Sequence, residues 1–272
     1  MRYLDRPSLA QQVTSNVYEG GLYDPASGHL HPLNYTLAVA RIARTAGAVV
    51  CEGVDVTAID GAGPHRVHTA RGAVDCDIVL LATNAYLGDL EPALARHFVP
   101  VGSHIAATEP LGADVVASLL PGRAAVSDTR RVLDYYRPSA DHRLLFGGRI
   151  GALEPSPDAL AGALKARILR VFPGLADAAI EFARGGHVAV TRSHMPHLGR
   201  LRGSIFHARG YSGHGMVLSG VAGRVLAEAA TGAMAGIDLF ARIDNPPLPL
   251  PRVLLTPAPA LMIAWYRLLD RL

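Results

Sequence analysis

The sequence predicts a mixed α/β fold with α+β elements, and three patterns along its 272 residues support this. An unbroken apolar run at 77–84 is typical of a strand buried on both faces of a parallel sheet. Residues 100–200 carry partly alternating strand patterns and a helical pattern at 159–172, which favour an antiparallel sheet with a helix against it. A strand, a glycine-rich turn and an apolar helix follow at 205–230.

The composition is that of a globular protein, with 50% hydrophobic and 18% charged residues. This length is comfortable for two domains. The net charge of +3 is small, and its basic residues do not form the stripe that nucleic-acid binding needs. Residues 1–13 lack the apolar segment of a secretory signal, and the oily segment 253–272 holds prolines and charges. We expect an amphipathic C-terminal helix and no membrane span.

The two cysteines, Cys51 and Cys76, are isolated in apolar stretches that are interpreted as strands. Two such residues form neither a disulfide framework nor a zinc site. Small buried side chains in a reducing compartment are the simpler interpretation, so we expect a cytoplasmic protein.

A helix is predicted from Pro32 to about Ala46, because proline is well placed in the first turn and an apolar face follows. Strands are expected at 48–51, 54–59 and 66–69, ahead of the apolar run that makes Ile78–Ala82 a central buried strand. That run ends in Ala82, Thr83 and Asn84. In open α/β sheets ligands bind at the carboxyl ends of strands, so these three residues are candidates for cofactor contact.

The strongest functional pattern is the turn at 210–215, which has three glycines in six residues ahead of an apolar helix. Glycines let a backbone approach a ligand closely, and a helix N-terminus favours a group that becomes negative. A reduced flavin is such a group. A tight turn that only packs a helix on a sheet explains the glycine spacing equally well.

Several motifs, in the same order, resemble those of the D-amino-acid-oxidase-like FAD-dependent oxidoreductases, in the branch of the gamma-glutamylputrescine and sarcosine oxidases. The resemblance covers nearly the whole chain. Its residues are Gly20-Gly21-Leu22-Tyr23-Asp24-Pro25, Gly28-His29-Leu30-His31-Pro32, Leu81-Ala82-Thr83-Asn84, Phe146-Gly147-Gly148-Arg149, Phe172-Pro173-Gly174-Leu175, Met195-Pro196-His197-Leu198-Gly199, Gly210-Tyr211-Ser212-Gly213-His214-Gly215, and Trp265-Tyr266-Arg267 with Asp270.

The resemblance implies a discontinuous FAD-binding domain at 1–95 and 201–240, an antiparallel substrate domain at 96–200, and a C-terminal linker and helix at 241–272. It implies hydride transfer from a carbon bearing nitrogen to FAD, which gives an imine that water hydrolyses. The implied flavin contacts are Gly210, Tyr211, Ser212, Gly213, His214, Gly215 and Met216, with His214 as a catalytic candidate.

Two departures from the family pattern bear on the cofactor and the substrate. The Gly-x-Gly-x-x-Gly fingerprint occurs nowhere in the sequence, and Met1 corresponds to the family's middle. We therefore expect an N-terminally truncated chain that holds FAD weakly, or only with a partner chain supplying the nucleotide-binding half. Amino-acid oxidases of the family carry an arginine near the apolar Val188, so the substrate is expected to be an amine, or an amino acid held elsewhere.

Tyr135 and Arg149 are the candidate substrate contacts, in the predicted antiparallel sheet. Tyr135 and Tyr136 are adjacent in a strand, so at most one of them lines a pocket. Packing in the core and a solvated strand end are the alternative interpretations of these residues.

Two alternatives remain open at the level of the sequence. One is a non-catalytic fragment or subunit. The other is a metal-dependent hydrolase that uses the His29-Leu30-His31 pair, with His194 and His197 as a second ligand-like spacing. No carboxylate is nominated to complete such a site, so no bound metal is expected.

Overall fold

The computed structural model describes residues 1–148, 155–249, 265 and 268–269. In these ranges, the strands are β1 (Arg2–Asp5), β2 (Gly20–Tyr23), β3 (Val56–Asp60), β4 (His65–Thr69), β5 (Gly72–Cys76), β6 (Val79–Leu81), β7 (Phe98–Thr108), β8 (Val126–Ser127), β9 (Asp134–Pro138), β10 (Leu144–Gly148), β11 (Ile180–Thr191), β12 (His197–Arg202) and β13 (Ile205–Arg209). The helices are α1 (Arg6–Leu9), α2 (Pro32–Thr45), α3 (Pro92–Ala95), α4 (Ala113–Leu119), α5 (Pro157–Val171), α6 (Gly215–Ala230) and α7 (Ala235–Ala241).

The described chain divides into two compact units. Unit 1 contains residues 1–30 and 102–186, and unit 2 contains residues 31–101 and 187–249. The first 30 residues thus belong with the middle of the chain, whereas the sequence pattern grouped them with residues 31–95. The assignment of these segments to a cofactor domain and a substrate domain stays a prediction.

Unit 1 is built on a five-stranded sheet in the order β11-β7-β10-β9-β8. Strand β10 pairs antiparallel with β7 and with β9, and β9 pairs antiparallel with β8. One face of this sheet forms the core with the apolar face of α5, whose Leu164 and Ile168 are fully buried. Tyr136 and Phe146 stack on the same face with ring centroids 5.3 Å apart. The predicted antiparallel sheet and its helix are confirmed.

Unit 2 contains a three-stranded sheet in the order β12-β13-β6 and a separate antiparallel meander, β3-β4-β5. Strand β13 is antiparallel to β12 and parallel to β6. All five residues of β13 are buried. Helix α6 packs on one face of this strand, and apolar side chains from other segments of unit 2 cover the other face. The parallel pair is the part of the predicted α/β sheet that this chain carries.

The prediction that Ile78–Ala82 forms a central strand buried on both faces is wrong for the described chain. The strand β6 is shorter, covering only Val79–Leu81, and it lies at the edge of its sheet with β13 as its neighbour. Leu80 is 43% exposed. A strand this apolar normally has a neighbouring strand on each side and helices on both faces. In the described residues, the outer edge of β6 has unpaired backbone groups and apolar surface around it.

Helix α2 begins where the sequence predicts. The side chain of His31 accepts a hydrogen bond from the amide of Asn34, and Pro32 occupies the first turn. Its apolar face is nevertheless open, since Leu37 is 57% exposed and Ile42 is 66% exposed. The pattern correctly located the helix but not the surface that covers it.

The predicted strand at 48–51 is absent, since these residues follow the turn after α2 and pair with no neighbouring strand in the described chain. Cys51 is therefore exposed, and Cys76, at the end of β5, is half-buried. The prediction that both cysteines are buried in strands is thus wrong for Cys51.

Three sets of motif residues lie outside the described residues: Arg149, 266–267 and Asp270. Most of the predicted C-terminal linker and helix at 241–272 also lies outside them. Among the described helices, none combines the length and the apolar character that crossing a bilayer requires.

Candidate functional site

Two of the candidate cofactor segments meet at the carboxyl ends of strands β6 and β13 in unit 2. Strands β6 and β13 run parallel, with Leu81 opposite His207, so both strands end on the same side. Asn84 follows β6 and Gly210 follows β13. The amide of Gly210 donates a hydrogen bond to Oδ1 of Asn84 at 3.1 Å. The structure therefore brings together the two segments that the sequence nominated separately.

The turn at 210–215 depends on left-handed backbone conformations. The φ angles are +70° at Gly210, +51° at Ser212 and +101° at Gly213. Glycine adopts such angles without a steric cost, whereas Ser212 is held in place by its surroundings. A Cβ at Gly210 would lie 2.4 Å from the Thr191 methyl group, so this glycine also permits a close approach.

Ser212 anchors the turn to strand β11. Its amide donates to the carbonyl of Ala189 at 3.0 Å, and its hydroxyl lies 3.3 Å from both the amide and the hydroxyl of Thr191. Tyr211 is buried in the cluster against α6, and burial raises the pKa of its hydroxyl. These contacts make the first half of the turn rigid.

The second half of the turn is open. Gly213, His214 and Met216 are exposed, and none of the side chains that the structure describes caps the first amides of α6. A Cβ added at Gly213 would meet no atom within 4 Å, and one added at Gly215 would meet only Tyr211, at 3.5 Å. The sixteen-residue helix α6 thus points free N–H groups and a partial positive charge at an accessible surface.

The remaining residues predicted to contact the cofactor, Ala82 and Thr83, directly precede Asn84 in the sequence. Ala82 is exposed, Thr83 is half-buried, and both follow directly on β6. Asn84 has a φ of +45° and opens a short 3₁₀ turn to Tyr86. The hydroxyl of Tyr86 accepts a hydrogen bond from the amide of His187 at 3.0 Å, which ties this segment to β11.

A cluster of three imidazoles and an arginine lies in the same unit, and sequence reasoning missed it. The rings of His97 and His207 lie 4.8 Å and 4.7 Å from that of His197. Arg209, which is 2% exposed, places Nη2 3.1 Å from Nδ1 of His197 and its guanidinium 5.3 Å from the ring centroid of Phe98. The alternation of His207 and Arg209 along β13 was the available signal.

Burial keeps the three imidazoles of this cluster neutral, because it lowers the pKa of each. It lowers the pKa of His207 to about 4, with the charge of Arg209 as the next cause. It lowers the pKa of His197 to about 3, together with the neighbouring His207, Arg209 and His97. Burial also lowers the pKa of Arg209 to about 9. The cluster supports strand β13 immediately before the turn.

In unit 1 the two adjacent tyrosines point to opposite faces of the sheet, as the strand geometry requires. Tyr136 is in the core, and its hydroxyl donates to that of Tyr18 at 3.0 Å. Tyr135 is half-buried on the other face, with its hydroxyl 3.0 Å from Oγ of Ser103. Its ring occupies the space left by Gly147, where a Cβ would lie 2.1 Å away.

The histidine pair considered as a metal site has other partners. Nε2 of His29 lies 3.2 Å from the carbonyl of Arg123, and His31 caps helix α2. Within the ranges that the structure describes, no three His, Cys, Asp or Glu side chains come together as a metal-binding group. Nothing in these ranges supports the metal-hydrolase alternative.

Comparison with known proteins gives a consistent result. Residues 1–229 match the family model DAO, FAD dependent oxidoreductase. The chain is 39% identical to gamma-glutamylputrescine oxidoreductase of Escherichia coli (strain K12), over the whole of this chain and 64% of that protein. It is 34% identical to the probable oxidoreductase OrdL of Rhizobium meliloti (strain 1021), of which it covers 63%. The chain therefore spans somewhat less than two thirds of the length of these relatives.

Solved structures share the fold at lower identity. L-proline dehydrogenase from P. horikoshii superposes with a TM-score of 0.73 at 21% identity, over 87% of this chain and 66% of that one. Glycine oxidase from Geobacillus kaustophilus gives a TM-score of 0.73 at 20% identity, over 88% of this chain and 65% of that one. Since the family model matches most of the sequence, this chain belongs to the DAO family of FAD-dependent oxidoreductases.

Proposed function

We propose that this chain provides the flavin-contacting and substrate-contacting parts of an FAD-dependent oxidoreductase that acts on an amine or an amino acid. The observation that carries the proposal is the convergence of Asn84 and the 210–215 turn at the exposed N-terminus of α6. In this proposal unit 2 contacts the cofactor and unit 1 contacts the substrate.

The residues at the N-terminus of α6 are suited to contact a flat isoalloxazine ring. Gly213 and Gly215 leave the approach to the backbone free of side chains, and the α6 amides face outwards. When bound, FAD supplies the hydride acceptor, and its pyrimidine end gains negative charge on reduction. The amides at 213–216 would lie at the positive end of the α6 dipole and would stabilise that charge in a bound flavin. His214 is the side chain placed to hydrogen-bond the ring or the substrate.

The substrate assignment rests on unit 1. Tyr135 presents its hydroxyl on the face of the sheet away from the core. Arg149, which lies outside the described residues, stays a candidate from the sequence alone. Val188 stands where amino-acid oxidases of the family carry an arginine, which favours an amine. The relative that shares 39% identity is named for gamma-glutamylputrescine, an amine of this general class.

We also propose that a nucleotide-binding segment, on a partner chain or in a longer polypeptide, completes the site. The sequence lacks the Gly-x-Gly-x-x-Gly fingerprint that seats the pyrophosphate in dinucleotide-binding folds. No strand among the described residues pairs with the outer edge of β6, and Leu37 and Ile42 of α2 and Val217 of α6 are exposed. A βαβ unit would add strands to that edge and cover such apolar surfaces. Cysteines without disulfide partners favour a cytoplasmic setting.

Co-expression with the remaining N-terminal segment of the Escherichia coli relative tests this proposal. We expect the two chains to copurify, to show a flavin spectrum and to oxidise amines. Leu37→Asn should weaken copurification without changing the free energy of unfolding of this chain by more than about 0.5 kcal/mol, because Leu37 is exposed. Arg71→Gln, at an exposed turn, is the control. A copurified complex with no bound flavin would contradict the cofactor assignment.

A further inference from the structure

Arg137 is a half-buried arginine that forms no salt bridge with a carboxylate of the described residues. Its Nη2 donates to the carbonyl of Leu30 at 3.1 Å, and its Nη1 lies 3.5 Å from Nδ1 of His29 and 3.4 Å from the carbonyl of Pro138. Burial lowers the pKa of Arg137, although it stays charged at neutral pH. An arginine fixed in this way is oriented before any anion arrives.

The position of Arg137 in the sheet relates it to Tyr135. The two residues are separated by one position on β9, so their side chains share the face opposite the core, about 7 Å apart along the strand. Tyr135 lies opposite Gly147, which lies opposite Ile105. Arg137 lies opposite Leu145, which lies opposite Ala107.

These two rows form a surface with a definite chemistry. Leu145, Ala107 and Ile105 give an apolar floor, and Ile105 is 39% exposed. A phenol hydroxyl and a guanidinium flank that floor. The surface suits an aliphatic chain with an anionic group at the arginine, since guanidinium and carboxylate match in geometry and charge.

We propose that Arg137 is a specificity-determining residue that binds a carboxylate of the substrate lying several carbons from the reacting amine. This assignment rests on the proposed function of unit 1 as the substrate-contacting part. It differs from recognition of an α-carboxylate at the position of Val188, and it reconciles an apolar residue there with an acidic substrate.

The test uses a matched pair of ligands, 5-aminopentanoate and pentylamine, which differ only in the carboxylate. Calorimetric titration of the purified 272-residue chain should show at least tenfold tighter binding of 5-aminopentanoate, because a charge-assisted hydrogen bond of this kind is worth that much. Arg137→Gln should reduce the ratio of the two dissociation constants to about one. Arg6→Gln, which removes an exposed arginine of the same unit, should leave the ratio unchanged.

Arg137→Lys guards against a folding artefact, since it keeps the charge without the planar fork and should give an intermediate ratio. In the complex with the nucleotide-binding segment, Arg137→Gln should raise KM for 5-aminopentanoate and leave KM for pentylamine unchanged. The titration needs no flavin, so a failure to bind FAD would not affect it. Two results would overturn the assignment. One is equal dissociation constants for the two ligands in the native chain, and the other is a ratio of these constants in Arg137→Gln as large as in the native chain.

Discussion

The amide of Gly210 donates its hydrogen bond to the side chain of Asn84, at 3.1 Å, across 126 residues of sequence. The bond joins the ends of two parallel strands that are neighbours in the sheet. It couples the 3₁₀ turn after β6 to the glycine turn that begins α6. The position of the α6 N-terminus therefore depends in part on a residue from a distant segment of the chain.

Asn84→Ala should loosen this coupling. The Gly210 amide loses its partner, and alanine tolerates the φ of +45° less well than asparagine does. We expect a loss of about 1–2 kcal/mol in the free energy of unfolding, measured by urea titration. Asn84→Asp, which keeps the acceptor oxygen, should lose less than half as much. Equal losses in the two variants would mean that the hydrogen bond contributes little.

Gly215→Ala tests the close approach of the flavin. The added methyl group would meet only Tyr211, at 3.5 Å, so the variant should fold as the native chain does. In the complex with the nucleotide-binding segment, we expect flavin content to fall, because a methyl group at the first residue of α6 would keep the ring from close contact with the backbone there. Gly223→Ala, in the same helix, has nothing within 4 Å and should keep its flavin. Native flavin content in Gly215→Ala would make the turn purely structural.

Local patterns were enough to predict most elements of this fold. The 159–172 helical pattern corresponds to α5, and the proline, serine and apolar spacing that define it are all local. The environment of Ile78–Ala82 was not predictable in this way, because burial depends on neighbouring strands, and the described residues place one strand, β13, beside β6. The same reason explains the open face of α2.

The candidate site was predictable where backbone chemistry defines it. Glycine spacing located the 210–215 turn, and the apolar run located Asn84. Their hydrogen bond was not predictable, since it needs the register of β6 against β13. The cluster around His197 was missed for a similar reason, since its members come from three separate segments of the chain.

Buried imidazoles should make unit 2 sensitive to acid. The pKa of His207 is lowered to about 4, against 6.5 for an unfolded chain. Its contribution to stability is therefore complete above pH 6.5 and is lost as pH falls towards 4. Between pH 7.5 and pH 5, the native chain should lose roughly 2 kcal/mol more than His207→Gln does in urea unfolding. If the free energy of unfolding fell equally in the two proteins, protonation of His207 would not destabilise the folded chain.

Asp134 should be among the most sensitive positions in unit 1. Its carboxylate is fully buried and pairs with Arg167 at 2.5 Å, with Arg170, and with Arg130 at 3.5 Å. Asp134→Asn removes a buried negative charge from beside three arginines and should cost about 3–5 kcal/mol. The control is Asp141→Asn, which removes an exposed partner of Arg143 and should cost less than about 1 kcal/mol. Thermal melts of both variants would measure the contrast, and similar small losses would mean that water screens Asp134.

The cofactor affinity of the chain alone, compared with that of the assembled complex, tests the central claim most directly. FAD would be titrated into the purified 272-residue chain and into its complex with the nucleotide-binding segment, while the visible spectrum is followed. We expect the ring contacts of the 210–215 turn to give weak binding at most in the chain alone, and stoichiometric yellow protein in the complex. A chain that binds FAD stoichiometrically alone would contradict the account, because another segment would then hold the pyrophosphate.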